Sequence, residues 1–310
     1  MDKKFKMSFS DLLKNIFFII IILQLAPHMI QNIAQQYKRI IEARTQVGVV
    51  PVKGVLYESE TYCTMLRTYF NDKNIKAILI KMECPGGASG TSQAIFNELK
   101  ALKHEHPKPV VVLVENMCTS GAYNIACASD YIIAPGSALI GSIGTSLPYV
   151  FSVKNLLEKL KITYTPIKSG AFKNVANPFV EITPQEKALL QSITDDAYDQ
   201  FIHEVSEQRK LPIDHAKDWA EGRVFTGQQA KKIGLIDEIG SLNNAIQTLK
   251  RLGNFKGEIE WVRPPQRISL WNLFSGGRAP DQEDGIFTHL YKIIMHTAYQ
   301  NMYQTPSHVV

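Results

Sequence analysis

The chain has 310 residues, 45% of them apolar, enough to bury one large core or two small ones. Its formal charge of +5 is concentrated at the start, where residues 1–46 carry seven Lys/Arg against three acids. The remainder is almost neutral, which argues against the basic footprint of a nucleic-acid binder, and four cysteines without paired close spacing exclude a disulfide scaffold and a zinc site.

In chain order, residues 16–26 (IFFIIIILQLA) are intensely apolar and follow Lys3, Lys4, Lys6 and Lys14. The length suits a signal-peptide core, but no Ala-x-Ala-like cleavage site comes after it. A spanning helix needs about 20 residues, and His28, Gln31 and Asn32 dilute the continuation. We read the stretch as an uncleaved, membrane-spanning signal anchor with a cytoplasmic N-terminus. A cleaved signal peptide and a buried core helix are the alternatives. The expected division is an anchor and juxtamembrane segment at 1–45, a main domain at 46–250, and a C-terminal extension at 251–310.

Residues 46–55 predict a strand ending in Gly54, residues 62–71 a helix, and residues 77–82 (AILIKM) a buried strand. That second strand runs into Cys84-Pro85-Gly86-Gly87. Residues 91–103 then predict an amphipathic helix with Ala94, Ile95, Leu99 and Leu102 on one face. The β-branched run at 110–114 is a third strand; it leads to Cys118-Thr119-Ser120-Gly121-Ala122-Tyr123 and a helix at 122–128. Strand, glycine corner, helix has then occurred twice, which is an α/β layout with loops gathered at the C-terminal ends of parallel strands.

Further on, residues 162–167 (ITYTPI) predict another strand, leading into a loop at 168–178. Thr183-Pro184-Gln185-Glu186 is a capping box with Pro at the first helical position, opening a helix to about residue 210. A short helix at 226–233 is closed by Gly234. Beyond residue 250 the signals weaken, although 286–303 is amphipathic and suits docking on the domain, on a neighbouring subunit or on a membrane surface.

Ser120 stands at a strand-to-helix corner, where the first-turn amides of the helix can stabilise a developing oxyanion. Its base is not obvious. No histidine lies between His106 and His203, and His203 and His215 fall in or just after a polar helix, so a Ser-His-Asp triad is unsupported. A metal mechanism is equally unsupported, with no His-Glu-x-x-His and with His104 and His106 in a proline turn. A lysine can act as base when burial disfavours its ammonium. Lys173, in a Gly/Asn/Pro-bounded loop beside Ala171, Phe172, Val175 and Phe179, is the best placed, with Lys168 as rival. Spacing alone does not choose between them, and either could be a surface lysine.

With these motifs in hand, the stretch from about residue 47 to 240 resembles the signal peptide peptidase A (protease IV-like) family of membrane-bound Ser-Lys endopeptidases. The landmarks are Cys84-Pro85-Gly86-Gly87, Thr119-Ser120-Gly121-Ala122-Tyr123, Gly141-Ser142-Ile143-Gly144, Lys168 through Lys173 to Asn177-Pro178, and Gly222-Arg223-Val224-Phe225-Thr226 with Gly234-Leu235-Ile236-Asp237. Each is weak alone; five in order are not. The resemblance implies a Clp protease/crotonase-like superhelix of β-β-α units, with Ser120 as nucleophile and Lys173, rather than Lys168, as general base. It implies the amides of Gly87 and Gly121 as the oxyanion hole, and Ser142 beside the lysine. It further implies signal peptides as substrates, a homo-oligomer, no cofactor, and a single-pass protein of the cytoplasmic membrane with its catalytic domain on the extracytoplasmic side.

Three positions depart from the usual pattern: Cys84, where a small polar residue is usual; Cys118; and Ala122, in place of a second glycine. The two cysteines raise the expectation of a redox-sensitive site. The resulting expectation is a membrane-anchored serine endopeptidase. A crotonase-like acyl-CoA enzyme and a catalytically silent scaffold of the same fold are the alternatives.

Overall fold

The computed structural model describes residues 44–147 and 151–264, with isolated positions between 17 and 30. The expected anchor at 16–26 falls largely outside the described residues, and the amphipathic stretch at 286–303 falls wholly outside them. Among the described residues no helix is long and apolar enough to cross a membrane.

The first half of the domain alternates strand and helix: β1 (Thr45–Lys53), α1 (Glu60–Asn71), β2 (Ile75–Cys84), α2 (Ser89–Glu105), β3 (Val110–Thr119) and α3 (Gly121–Cys127). Short elements follow: β4 (Tyr131–Ala134), β5 (Leu139–Gly141) and α4 (Lys154–Lys159). Then come the long α5 (Pro184–Arg209), a 3-10 turn (Ile213–His215), α6 (Ala216–Trp219), β6 (Val224–Thr226) and α7 (Gly227–Lys232). The described chain ends in β7 (Glu238–Ile239), α8 (Leu242–Leu252) and β8 (Ile259–Val262).

One mixed sheet runs in the order β6-β5-β3-β2-β1-β8, with β4 joined to β3 and β7 to β4. Every pairing is parallel except β5 with β6. The strands are apolar on both faces because both faces are covered. Val50, Val52, Ile78, Ile80, Val110 and Val112 point into the larger core, with residues of α1, α2 and α3. Val47, Ala77, Leu79, Val111 and Leu113 point the other way, onto Ala245 and Leu249 of α8. A two-residue period thus serves two cores.

β3 is longer than the β-branched run that announces it, and it changes partner along its length. Its first half pairs with β4 through Val111, Val112 and Leu113, its second with β5 through Met117, Cys118 and Thr119. The end of β3 is therefore flanked by β2 on one side and β5 on the other, and Ser120 follows immediately.

The capping box opening α5 forms as the sequence indicates, with Thr183 and Glu186 exchanging side-chain and backbone bonds and Pro184 in the first turn. The strand expected at 162–167 does not form. Pro166 lacks an N–H, and among the described residues no strand pairs with the segment; Ile162, Tyr164 and Ile167 are exposed instead. Residues 151–182 are held largely by their own contacts. The Tyr164 and Phe179 rings sit 5.2 Å apart, Asn177 donates to the Tyr164 hydroxyl at 3.0 Å, and Val153 N–H donates to Pro178 O at 2.7 Å.

Candidate active site

Ser120 occupies the N-cap of α3 with φ 54° and ψ −129°, a region that strains any residue with a Cβ. The corner is fastened from β5, since Ser120 N–H donates to Gly141 O at 2.7 Å. Its hydroxyl has no hydrogen-bond partner among the described residues, and the side chain is half-buried.

Facing it is the turn after β2. Gly86 has φ +100°, and a Cβ there would lie 2.8 Å from both Gly121 N and Ser120 Cβ. Only glycine lets the two loops approach so closely. Gly87 is pinned on its far side. Leu56 N–H donates to Gly86 O at 2.8 Å, and Ala88 N–H donates to Leu56 O at 2.9 Å. In this parallel bridge the N–H and C=O of Gly87 itself are directed away from Leu56. Gly87 N lies 3.6 Å from where a Cβ on Gly121 would stand.

The N–H groups of Gly87 and Gly121 have no acceptor among the described residues. They lie at the starts of α2 and α3, whose N-cap residues, Ala88 and Ser120, make no side-chain cap. Two such amides beside a serine hydroxyl are the kind of donors that can stabilise negative charge on an oxygen.

The other expected residues are less closely gathered. Ser142 follows Gly141, which pairs with Thr119; it has φ 50°, and its N–H donates to Arg223 O at 2.6 Å. Lys173 is exposed, and its ammonium makes no hydrogen bond or ion pair among the described residues. No hydrogen bond joins it to Ser120 or Ser142. Lys168 is engaged, donating to Ala171 O at 2.7 Å and lying 4.0 Å from the buried Glu186 carboxylate.

Cys84 and Cys118 are register partners on β2 and β3, both fully buried free thiols. Burial pushes the Cys84 thiol up to about 11 and Cys118 well above its ordinary value. Thiol oxidation proceeds through the thiolate, which this burial disfavours. Cys84 has a structural task instead, its Sγ accepting the Gly86 N–H at 3.3 Å.

Sequence reasoning passed over two small polar residues. Ser92 of α2, 3% exposed, packs against the Gly121 backbone and closes its own helical turn by donating to Ser89 O at 2.9 Å. Thr119 donates from Oγ1 to Pro85 O at 3.1 Å. The only signal for Thr119 was its position beside Ser120. Among the described residues, no group of three or more His, Cys, Asp or Glu is placed to hold a metal ion.

Residues 102–256, half of the chain, match the sequence profile of the family described as Peptidase family S49. A protein of Methanocaldococcus jannaschii that carries a protease name is 34% identical over 197 residues, covering 64% of this chain and 62% of that protein. One from Enterococcus faecium, carrying the name signal peptide peptidase, is 32% identical over 195 residues, 63% of this chain and 56% of that protein. The chain thus spans less than two thirds of either relative. Among solved structures, a variant of a membrane-bound stomatin-specific protease aligns with 72% of this chain and 100% of its own, at 17% identity and a TM-score of 0.46.

Proposed function

The chain belongs to peptidase family S49, and from that premise we propose that it is a serine endopeptidase with a Ser120–Lys173 dyad, built on a Clp protease/crotonase-like superhelix. One observation carries the reading: the Ser120 hydroxyl stands beside the N–H groups of Gly87 and Gly121, supplied by different loops, and all three lack partners among the described residues. In the proposed mechanism neutral Lys173 accepts the Ser120 proton as Oγ attacks a peptide carbonyl. The two amides hold the tetrahedral oxyanion, and Ser142 orients the lysine. Collapse breaks the C–N bond, the leaving amine takes the proton from Lys173, and water then hydrolyses the acyl-enzyme.

Lys173 and Ser120 are unjoined within the single chain, so the dyad closes when segment 151–182 docks over a site. Its exposed Phe151, Leu156, Leu160, Ile162 and Ile167 support such docking, and a homo-oligomer would cover them. The engagement of Lys168 with Ala171 and Glu186 supports Lys173 as the base. The substrate is an extended apolar peptide paired to the free edge of Gly87, with cleaved signal peptides as the class. Residues 16–26 anchor the protein in the cytoplasmic membrane, with the catalytic domain on the extracytoplasmic side.

The test is hydrolysis of a fluorogenic apolar peptide by wild type, Ser120→Ala, Lys173→Ala and Lys168→Ala. Loss of turnover in the first two variants, with partial activity in the third, is expected. Unchanged turnover in Ser120→Ala or Lys173→Ala sinks the dyad, and a dead Lys168→Ala beside an active Lys173→Ala moves the base. Turnover of an acyl-CoA thioester that survives Ser120→Ala would point to crotonase-like chemistry instead.

A further inference from the structure

We infer that Thr119 is a positioning residue whose hydroxyl sets the gap between the two halves of the oxyanion hole. The inference rests on the proposed protease reading, in which Gly87 and Gly121 are the two donors. They come from different loops, so their separation depends on how the turn after β2 sits against the corner after β3. Sheet pairing alone leaves that relation loose. The β2–β3 register is regular from Ile78/Val110 to Met82/Val114, then shifts before resuming at Cys84/Cys118, immediately ahead of both loops.

Across that irregularity Thr119 Oγ1 donates to Pro85 O at 3.1 Å. Among the described residues it is the one side-chain hydrogen bond between the turn at 84–88 and the corner at 118–121. Thr119 is 7% exposed, so water competes poorly for the bond. Apart from the Cys84/Cys118 sheet pairing at the base of both loops, the remaining side-chain and backbone ties of the turn face elsewhere. Cys84 Sγ holds Gly86 from within, and Leu56 holds Gly86 and Ala88 from the outer side. Without the Thr119 hydroxyl, Pro85 O is left without its partner, and the turn is drawn away from the corner to satisfy it. Gly87 N–H moves with the turn while Gly121 N–H stays.

Thr119→Val removes the donor and keeps the shape; Thr119→Ser keeps the donor. Each is assayed on the full chain, with active sites titrated by a fluorophosphonate that labels Ser120. For Thr119→Val, kcat per titrated site is expected to fall about 10- to 100-fold, with KM within about twofold. Affinity for a peptide aldehyde, whose adduct places an oxyanion in the hole, is expected to fall by the same factor. Thr119→Ser stays within about threefold of wild type on both measures. A merely structural role would lower the titrated fraction or the melting temperature and leave per-site kcat and aldehyde affinity untouched.

Wild-type per-site kcat and aldehyde affinity in Thr119→Val overturn the inference, and so does a Thr119→Ser enzyme as impaired as Thr119→Val. In either case an inactive Ser120→Ala control leaves the protease reading standing. Turnover in Ser120→Ala would overturn that reading and the inference with it.

Discussion

At Ser120 the backbone, rather than the side chain, makes the first testable statement. With φ 54° and ψ −129°, the residue holds a conformation in which a Cβ crowds the chain. The surroundings hold it there: Gly141 O accepts the Ser120 N–H, and the Tyr123 and Asn124 N–H groups donate to Ser120 O at 2.8 and 3.1 Å. Removing the Cβ should relieve the strain. We expect Ser120→Gly to be more stable than Ser120→Ala by about 1 kcal/mol or more, although both are inactive. Urea unfolding of the two variants measures it, and coincident midpoints would show that the corner stores no strain. The same scale sets the surroundings of Cys84, whose burial disfavours the thiolate that oxidation requires. A thiol sealed in the core and bonded to Gly86 N–H serves as a turn residue.

At the scale of elements, the start of α5 ties the lysine-bearing loop to the domain. The Glu186 carboxyl is held below the usual carboxylate range, first by the Thr183 backbone N–H, then by the Thr183 hydroxyl, with the Lys168 ammonium adding to both. Its folded pKa lies below the unfolded value near 4.5, so the stabilisation is complete above that pH. It is lost as pH falls through the folded pKa. Glu186→Gln, which keeps the cap and loses the charge, should be less stable than wild type at pH 7 and converge on it at the acid end. Thermal melts between pH 7 and pH 3 provide the check; parallel losses in the two proteins would remove Glu186 from the acid response. The capping box, and with it α5, was legible in the sequence because cap chemistry is local. So were β1 to β3 and their helices, whose apolar runs need no knowledge of a partner. The short β4, β5, β6 and β7 were not, since strands of two to four residues are defined by what lies beside them. The expected strand at 162–167 failed for the same reason: its pattern suits a strand, but among the described residues no strand pairs with it. Ser120 could be singled out from its corner motif and Gly87 and Gly121 from the family resemblance, whereas Thr119 emerged only from the approach of two loops distant in sequence.

At the scale of the whole molecule, the position of Lys173 and the exposure of apolar side chains pose one question. Ile167 is 99% exposed, and Phe151, Leu156, Leu160 and Ile162 are each more than half exposed. Burying such side chains yields about 1.5–3 kcal/mol apiece, so a partner surface that covered this many would be favoured, as the proposed homo-oligomer requires. The same segment carries the lysine that the proposed mechanism needs at Ser120. Association and activity should therefore rise together with protein concentration. Ile167→Asp places a charge where an apolar contact is required, and since Ile167 is outside the core, the monomer fold should tolerate it. We expect the variant to dissociate at concentrations where wild type is associated, with turnover falling in step and the melting temperature of the core little changed. Sedimentation velocity across a dilution series, with peptide turnover on the same samples, reads both quantities. A fully associated and fully active Ile167→Asp protein would show that the surface is not what closes the site. A dissociated variant with wild-type turnover would show that one chain brings Lys173 to Ser120 by itself.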